Sequence, residues 1–194
     1  MFLYRKENTL TSELCRAFIS TFETSDETRP GVLYGADGSS STGGKRSTDI
    51  TFTPEYLKHQ QWGPLLEQLI PVIQAGQQDY ISRHQLAMSN LDPIDLSSKF
   101  NMQRYNPGES FSSWHCERAS LKYSDRVLVW AIYLNTVTDR GETEFYYQHH
   151  FESAVEGKLI IWPSDWTYLH RGVASLTQTK YILTGWFNQL QRPI

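Results

Sequence analysis

The sequence predicts a mainly β protein of the α+β class, a double-sheet barrel or jelly roll with helices flanking it at the N-terminal side. Helical periodicity is confined to the first hundred residues. From residue 100 onward, short runs rich in Val, Ile, Tyr, Phe and Trp alternate with turn residues. Aromatic residues make up 13% of the chain, which favours a β-rich core over a helical bundle. Helices first and many short strands afterwards suit two packed β layers with helices outside them.

Each element has a local cause. Residues 9–23 predict a helix, because Leu14, Phe18 and Phe22 recur at a spacing of four. Thr11 or Ser12 can cap it, and Glu13 favours its first turn. Residues 35–44, GADGSSSTGG, are a loop by composition. With Lys45, Arg46 and Ser47 that loop superficially suggests a phosphate loop. It fails the test, because Ser39 stands where the first glycine should be and Arg46 where Ser or Thr should follow the lysine. Two readings remain for it: a flexible surface loop, or a flap over an active site with Arg46 and Ser47 near its base. Thr53-Pro54 is a cap followed by proline at a first helical position. Residues 64–83 carry a second helical pattern that Pro71 and Gly76 interrupt, predicting a kink or two shorter helices. Residues 85–99 read as polar and irregular. Strands are expected near 101–105, 110–117, 127–135, 142–149, 158–162, 168–174 and 179–188, with turns at Asn106-Pro107-Gly108 and Asp139-Arg140-Gly141. Neither repeat nor linker divides the chain, so one domain over 1–194 is expected. Residues 1–100 would be its helical and loop support, and 101–190 its catalytic β core.

Bulk properties narrow the function. Hydrophobic content of 39% and charged content of 20% describe an ordinary soluble globular protein. The net charge of −3 gives no basic excess for nucleic acid. Cys15 and Cys116 support no disulfide framework, so a reducing compartment is expected. MFLYRKENTL lacks the apolar run of a signal peptide, and no stretch approaches a membrane span, which together predict a cytoplasmic location. Oligomeric state is not legible.

The chemistry concentrates in His115, Glu117 and His170. On an extended segment, His115 and Glu117 of WHCE point one way and Cys116 the other. Two imidazoles and one carboxylate on one side of a metal form the facial triad of non-haem Fe(II) oxygenases. A lone His-x-Glu is weak evidence. With six histidines and 21 acidic residues in 194, chance supplies roughly one such pair, and the chain holds a second in His150-Phe151-Glu152. The first pair is preferred because several strands separate it from His170, which can then return beside it. The second lies in a polar segment without that span and reads as a solvated loop or strand edge.

Lys180 adds an independent signal. It opens the apolar run TKYILTGWF and shares a strand face with Ile182, Thr184 and Trp186. Trp186 on that face reads as wall packing. A lysine there needs an anion, and a dicarboxylate cosubstrate would supply one; the alternative is a strand end with its head in water.

These pieces carry a family resemblance. QRYNPGESFSSWHCE, AIYLNTV, RGETEF, EGKLIIWP, YLHRG and TKYILTGWF stand in the order and spacing seen in prolyl 4-hydroxylase-type Fe(II)/2-oxoglutarate dioxygenases. The resemblance spans Met102 to Phe187. It implies a double-stranded β-helix, a cupin-like barrel, with His115, Glu117 and His170 holding iron. It implies that Lys180 holds the distal carboxylate of 2-oxoglutarate, helped by hydrogen bonds from Tyr105 and Thr143. It implies Fe(II), 2-oxoglutarate and O2, with ascorbate as an optional accessory. The implied reaction hydroxylates a C–H bond of a prolyl residue in a peptide or protein and releases succinate and CO2. A free amino acid or other small metabolite is the rival substrate, and a catalytically silent metal-binding barrel the rival class. Two departures stand out: Glu117 replaces the usual Asp, and Arg140 replaces the first glycine of the family's GGET.

Overall fold

A computed structural model describes residues 1–34, 40–41 and 43–190. Its elements run β1 (Tyr4–Lys6), α1 (Ser12–Thr24), β2 (Arg29–Pro30), β3 (Leu33–Tyr34), β4 (Ser40–Ser41) and β5 (Thr48–Phe52). After a short 3-10 turn at Pro54–Lys58 come α2 (Gly63–Arg83), α3 (Gln85–Met88), β6 (Ile94–Tyr105), β7 (Arg126–Tyr133) and β8 (Thr143–Phe145). The chain then forms β9 (His150–Glu152), β10 (Leu159–Pro163), β11 (His170–Gly172) and β12 (Lys180–Gln189). The strands form a seven-stranded sheet in the order β1-β10-β7-β12-β6-β5-β2 and a three-stranded sheet in the order β11-β8-β9. Every pairing in both is antiparallel. The pair β3–β4 is separate.

The large sheet is covered on both faces, which explains its near-continuous apolar strands. On β7, Leu128, Trp130 and Ile132 pack toward α1 and α2, while Val129, Ala131 and Tyr133 pack toward the other side. On β12, Leu183 and Phe187 join the helical side and Ile182 and Trp186 the other. Gly185 permits a close crossing: a Cβ there would lie 2.6 Å from Phe100 Cβ and 2.8 Å from Trp130 Cζ2. Helix α1 forms where its spacing predicts. Thr11 Oγ1 accepts from Leu14 N at 3.2 Å, and Cys15, Phe18 and Phe22 are buried. Such a cap contributes about 1 kcal/mol.

Several expectations need correction. Helix α2 is one helix and not two shorter ones; it continues through Pro71, because Pro71 lies on its exposed side and water can satisfy the freed carbonyl. Gly76 is not a break either; a Cβ there would collide with Leu159, so the glycine lets α2 sit close on β10. Residues 110–117 form no continuous strand; Phe111 and His115 make single bridges, to Lys45 and His170. The segment 142–149 holds only β8 and the turn that leads into β9 at His150. Residues 94–99, read as irregular, extend β6, because pairing with β12 supplies order that their polar composition does not advertise. The first hundred residues are more than support, since β1, β2 and β5 belong to the large sheet. Within the loop expected at 35–44, residues 35–39 and 42 lie outside the described residues. No helix among the described residues is long and apolar enough to cross a membrane.

Candidate metal centre

The three residues singled out for iron come together. One ligand atom from each of His115, Glu117 and His170 lies within 4.8 Å of the others, the one such cluster among the described residues. Glu117 Oε1 is 3.4 Å from His115 Nε2 and 3.8 Å from His170 Nε2. Backbone pairing sets this up. His115 N donates to His170 O at 3.0 Å, and His170 N donates to His115 O at 2.9 Å. Glu117 N donates to Ser164 O, holding the segment extended without a full strand. Cys116, between two of the three, is not part of the cluster.

Neighbours decide which atoms stay available. His115 Nδ1 lies 2.9 Å from Ser113 O, and His170 Nδ1 lies 2.9 Å from Tyr168 O. Carbonyls only accept, so each Nδ1 carries the proton and each Nε2 keeps its lone pair. Burial and the neighbouring His115 push the His170 imidazolium down to about 3, against the pull of Glu117, so the ring is neutral at ordinary pH. Burial alone would raise the Glu117 carboxyl. The polar and cationic groups around it, the Arg126 guanidinium among them, overcome it and bring the group down to about 2. Glu117 Oε2 accepts from Trp186 Nε1 at 3.0 Å and from Arg126 Nη1 at 3.2 Å, which leaves Oε1 facing the imidazoles. Phe111 stacks on His115 with centroids 3.6 Å apart and restricts the ring. Two neutral imidazole nitrogens and one ionised carboxylate oxygen fit a facial Fe(II) site.

A cleft of about 1080 Å3 opens over this cluster between the two sheets. The large sheet contributes Tyr105, Lys180, Ile182 and Trp186 to its walls, and the small sheet Thr143 and His170. The face assigned to Lys180 is therefore the cleft face. Lys180 is 5% exposed, its Nζ donates to Gly141 O at 2.9 Å, and it lies 5.2 Å from the Tyr105 ring centre. No carboxylate of the described residues forms an ion pair with it. Burial lowers its ammonium to about 8, against the pull of Glu142. Tyr105 Oη donates to Gln103 Oε1 at 2.9 Å, and Thr143 Oγ1 is 2.7 Å from Tyr133 Oη. Arg140 and Gly141 adopt left-handed φ of 62° and 82°, and Thr143 still enters β8, so the altered turn keeps its place.

The second His-x-Glu pair lies on an edge strand, β9, which is one of its two expected settings, but its carboxylate is not solvated. Glu152 is 4% exposed and bonded on both oxygens: Oε1 to Lys158 at 2.6 Å, Oε2 to Arg5 and His150. Sequence reasoning missed Arg126 altogether and took Trp186 for wall packing, whereas its indole N–H holds a carboxylate. A period-two reading puts Arg126 on the helical face with Leu128. A bulge prevents this: Phe187 pairs with Leu128 and Asn188 with Arg126, leaving Val127 as an extra residue. Val127 turns to the helices and Arg126 toward Glu117. The signal that could have found it is an arginine at the head of an otherwise apolar strand.

Residues 100–188 match the family model described as the 2OG-Fe(II) oxygenase superfamily. No curated protein matches the chain. Among solved structures, a Pseudomonas putida prolyl-4-hydroxylase is similar at 18% identity and a TM-score of 0.71, over 97% of this chain and 93% of that one. A prolyl hydroxylase from Trichoplax adhaerens, in complex with a hypoxia inducible factor peptide fragment, is similar at 16% identity and a TM-score of 0.73, over 96% and 83%. The viral collagen prolyl hydroxylase of Paramecium Bursaria Chlorella virus-1, as its 2OG complex, is similar at 14% identity and a TM-score of 0.66, over 98% and 97%. At these identities the likeness shows a shared jelly-roll fold. The family match covers a little under half of the chain and holds the whole His115, Glu117 and His170 cluster, so the likeness to the 2OG-Fe(II) oxygenase superfamily lies where the candidate metal ligands are.

Proposed function

We propose that this chain is an Fe(II)- and 2-oxoglutarate-dependent dioxygenase that hydroxylates a prolyl residue in a peptide or protein, releasing succinate and CO2. One observation carries the reading: a gathered His-Glu-His donor set shares a cleft with a buried lysine that forms no ion pair with any carboxylate among the described residues. His115 Nε2, His170 Nε2 and Glu117 Oε1 would hold the metal. Fe(II) with 2-oxoglutarate supplies the oxidising chemistry when bound. Lys180 receives the distal carboxylate of the keto acid, a charge-assisted hydrogen bond worth about 1.5–3 kcal/mol. Tyr105 and Thr143 line the cleft from the large and the small sheet, and their hydroxyl groups would help to orient that carboxylate. Ile182, Trp186 and Trp162 keep the walls apolar and exclude bulk water.

The prolyl target is supported by the prolyl hydroxylases that share the fold, one of them with a peptide fragment bound. The two free cysteines agree with a reducing, cytoplasmic setting. Anaerobic titration with Fe(II) and then 2-oxoglutarate tests the site and should develop a visible charge-transfer band. Succinate release on adding O2 and proline-rich peptides tests the reaction, with hydroxyproline as product. Succinate release driven by a free amino acid and not by peptides would replace the substrate. A loaded site that never yields succinate would leave a binding module.

A further inference from the structure

The geometry points to Arg126 and Trp186 as positioning residues that hold Glu117 as a one-oxygen metal ligand and so accommodate its extra methylene. The inference rests on the metal-site reading above. A glutamate has one more rotatable bond than an aspartate, and that freedom must be removed for the ligand to be preorganised. Both ends of Glu117 are fixed. At the backbone, its N–H donates to Ser164 O, and Ser164 Oγ in turn donates to Arg126 O at 2.6 Å. Arg126 Nη1 donates to Glu117 O and to Glu117 Oε2, both at 3.2 Å. At the side chain, Trp186 Nε1 adds the second donor to Oε2.

The donors are themselves locked. The Arg126 guanidinium carbon lies 3.6 Å from the Trp186 ring centre and 4.1 Å from that of Tyr123, so the cation is stacked between two aromatic faces. Burial lowers its pKa, and Glu117, Tyr123 and Asp125 pull the other way. A carboxylate with two free oxygens can occupy two positions on a metal. With Oε2 committed to two N–H groups, Glu117 offers Oε1 alone and leaves the other positions to the cosubstrates. The bulge at Val127 aims Arg126 at this task.

The test is an anaerobic Fe(II) titration of four proteins: the parent, Trp186→Phe, Glu117→Asp and the double variant. Trp186→Phe keeps the ring over Arg126 and deletes only the N–H. It should raise the Fe(II) dissociation constant about tenfold or more, the size of effect that outer-shell partners of metal ligands produce. In the Glu117→Asp background, whose shorter carboxylate does not reach the indole, the same change should alter the constant less than twofold. Arg126→Lys provides a second variant, expected to weaken Fe(II) binding to a similar degree with the indole intact. An unchanged constant in Trp186→Phe and Arg126→Lys, or an equal loss in both backgrounds, would overturn the inference. His170→Ala separates this from failure of the metal site itself: it should abolish tight Fe(II) binding whatever holds Glu117, and retained binding would sink the metal reading.

Discussion

The chain contains the same short pattern twice, in two different settings. His115-Cys-Glu117 and His150-Phe-Glu152 each place an imidazole two residues before a carboxylate. At the second site every oxygen is used, since Lys158, Arg5 and His150 close around Glu152. At the first, Arg126 and Trp186 hold one oxygen, and the other faces two imidazole nitrogens with lone pairs free. The lysines repeat the contrast. Lys158 and Lys180 are 3% and 5% exposed, yet among the described residues Lys158 has a carboxylate at 2.6 Å and Lys180 only a carbonyl. A saturated cluster holds β1, β9 and β10 together, and an unsaturated one waits for a ligand. What separates a structural cluster from a binding one is the unspent coordination of its members, not their residue types.

The largest expected effect follows from that contrast. His170→Ala should abolish turnover, while His150→Ala should leave it within about twofold; this is read from succinate release, and equal losses would erase the distinction. Next comes stability. Glu152→Ala strands the buried Lys158 and should cost about 3 kcal/mol in denaturant unfolding, while Fe(II) affinity of the folded protein holds. The Glu152 carboxyl, which burial would raise, is lowered by its Lys158, His150 and Arg5 partners. Its stabilisation is therefore present above the ordinary carboxyl value near 4.5 and lost as pH falls through the lowered folded value. The variant should accordingly show a flatter acid limb.

Lys180→Ala should raise the 2-oxoglutarate requirement roughly ten- to a hundredfold and change Fe(II) affinity far less; the reverse pattern would remove Lys180 from its role. Its lowered value of about 8 in the free protein carries a sign: cosubstrate affinity should fall as pH rises through that value and the ammonium loses its proton. The smallest effect is expected from His150→Gln. This residue is a partly exposed member of the Glu152 cluster, and its loss should cost under about 1 kcal/mol, measurable as a small shift in unfolding midpoint.

Much was legible before any fold existed. Phe18 and Phe22 announce the buried stripe of α1, and Thr11 its cap, because helix period and capping are properties of the local backbone. Lys180 on the face of Ile182, Thr184 and Trp186 follows from the two-residue repeat of a strand. The order of His115, Glu117 and His170 marked the candidate donor set, and spacing preferred it to the second pair; the fold gathers that set. Other features had no local signal. Glu152 looks like a solvated acid until Arg5 arrives from 147 positions away. The 94–99 stretch is polar, and only β12 makes it a strand.

The sequence by itself determined residue chemistry and local period: which groups can ligate, which strands are buried, where α1 begins. Tertiary structure alone decided register and partners. A single extra residue at Val127 reverses the alternation of β7 and turns Arg126 from the helical face to the carboxylate of Glu117. A bulge exists only relative to the strand it pairs with, here Phe187 and Asn188 some sixty residues later, so no reading of residues 126–133 in isolation contains it.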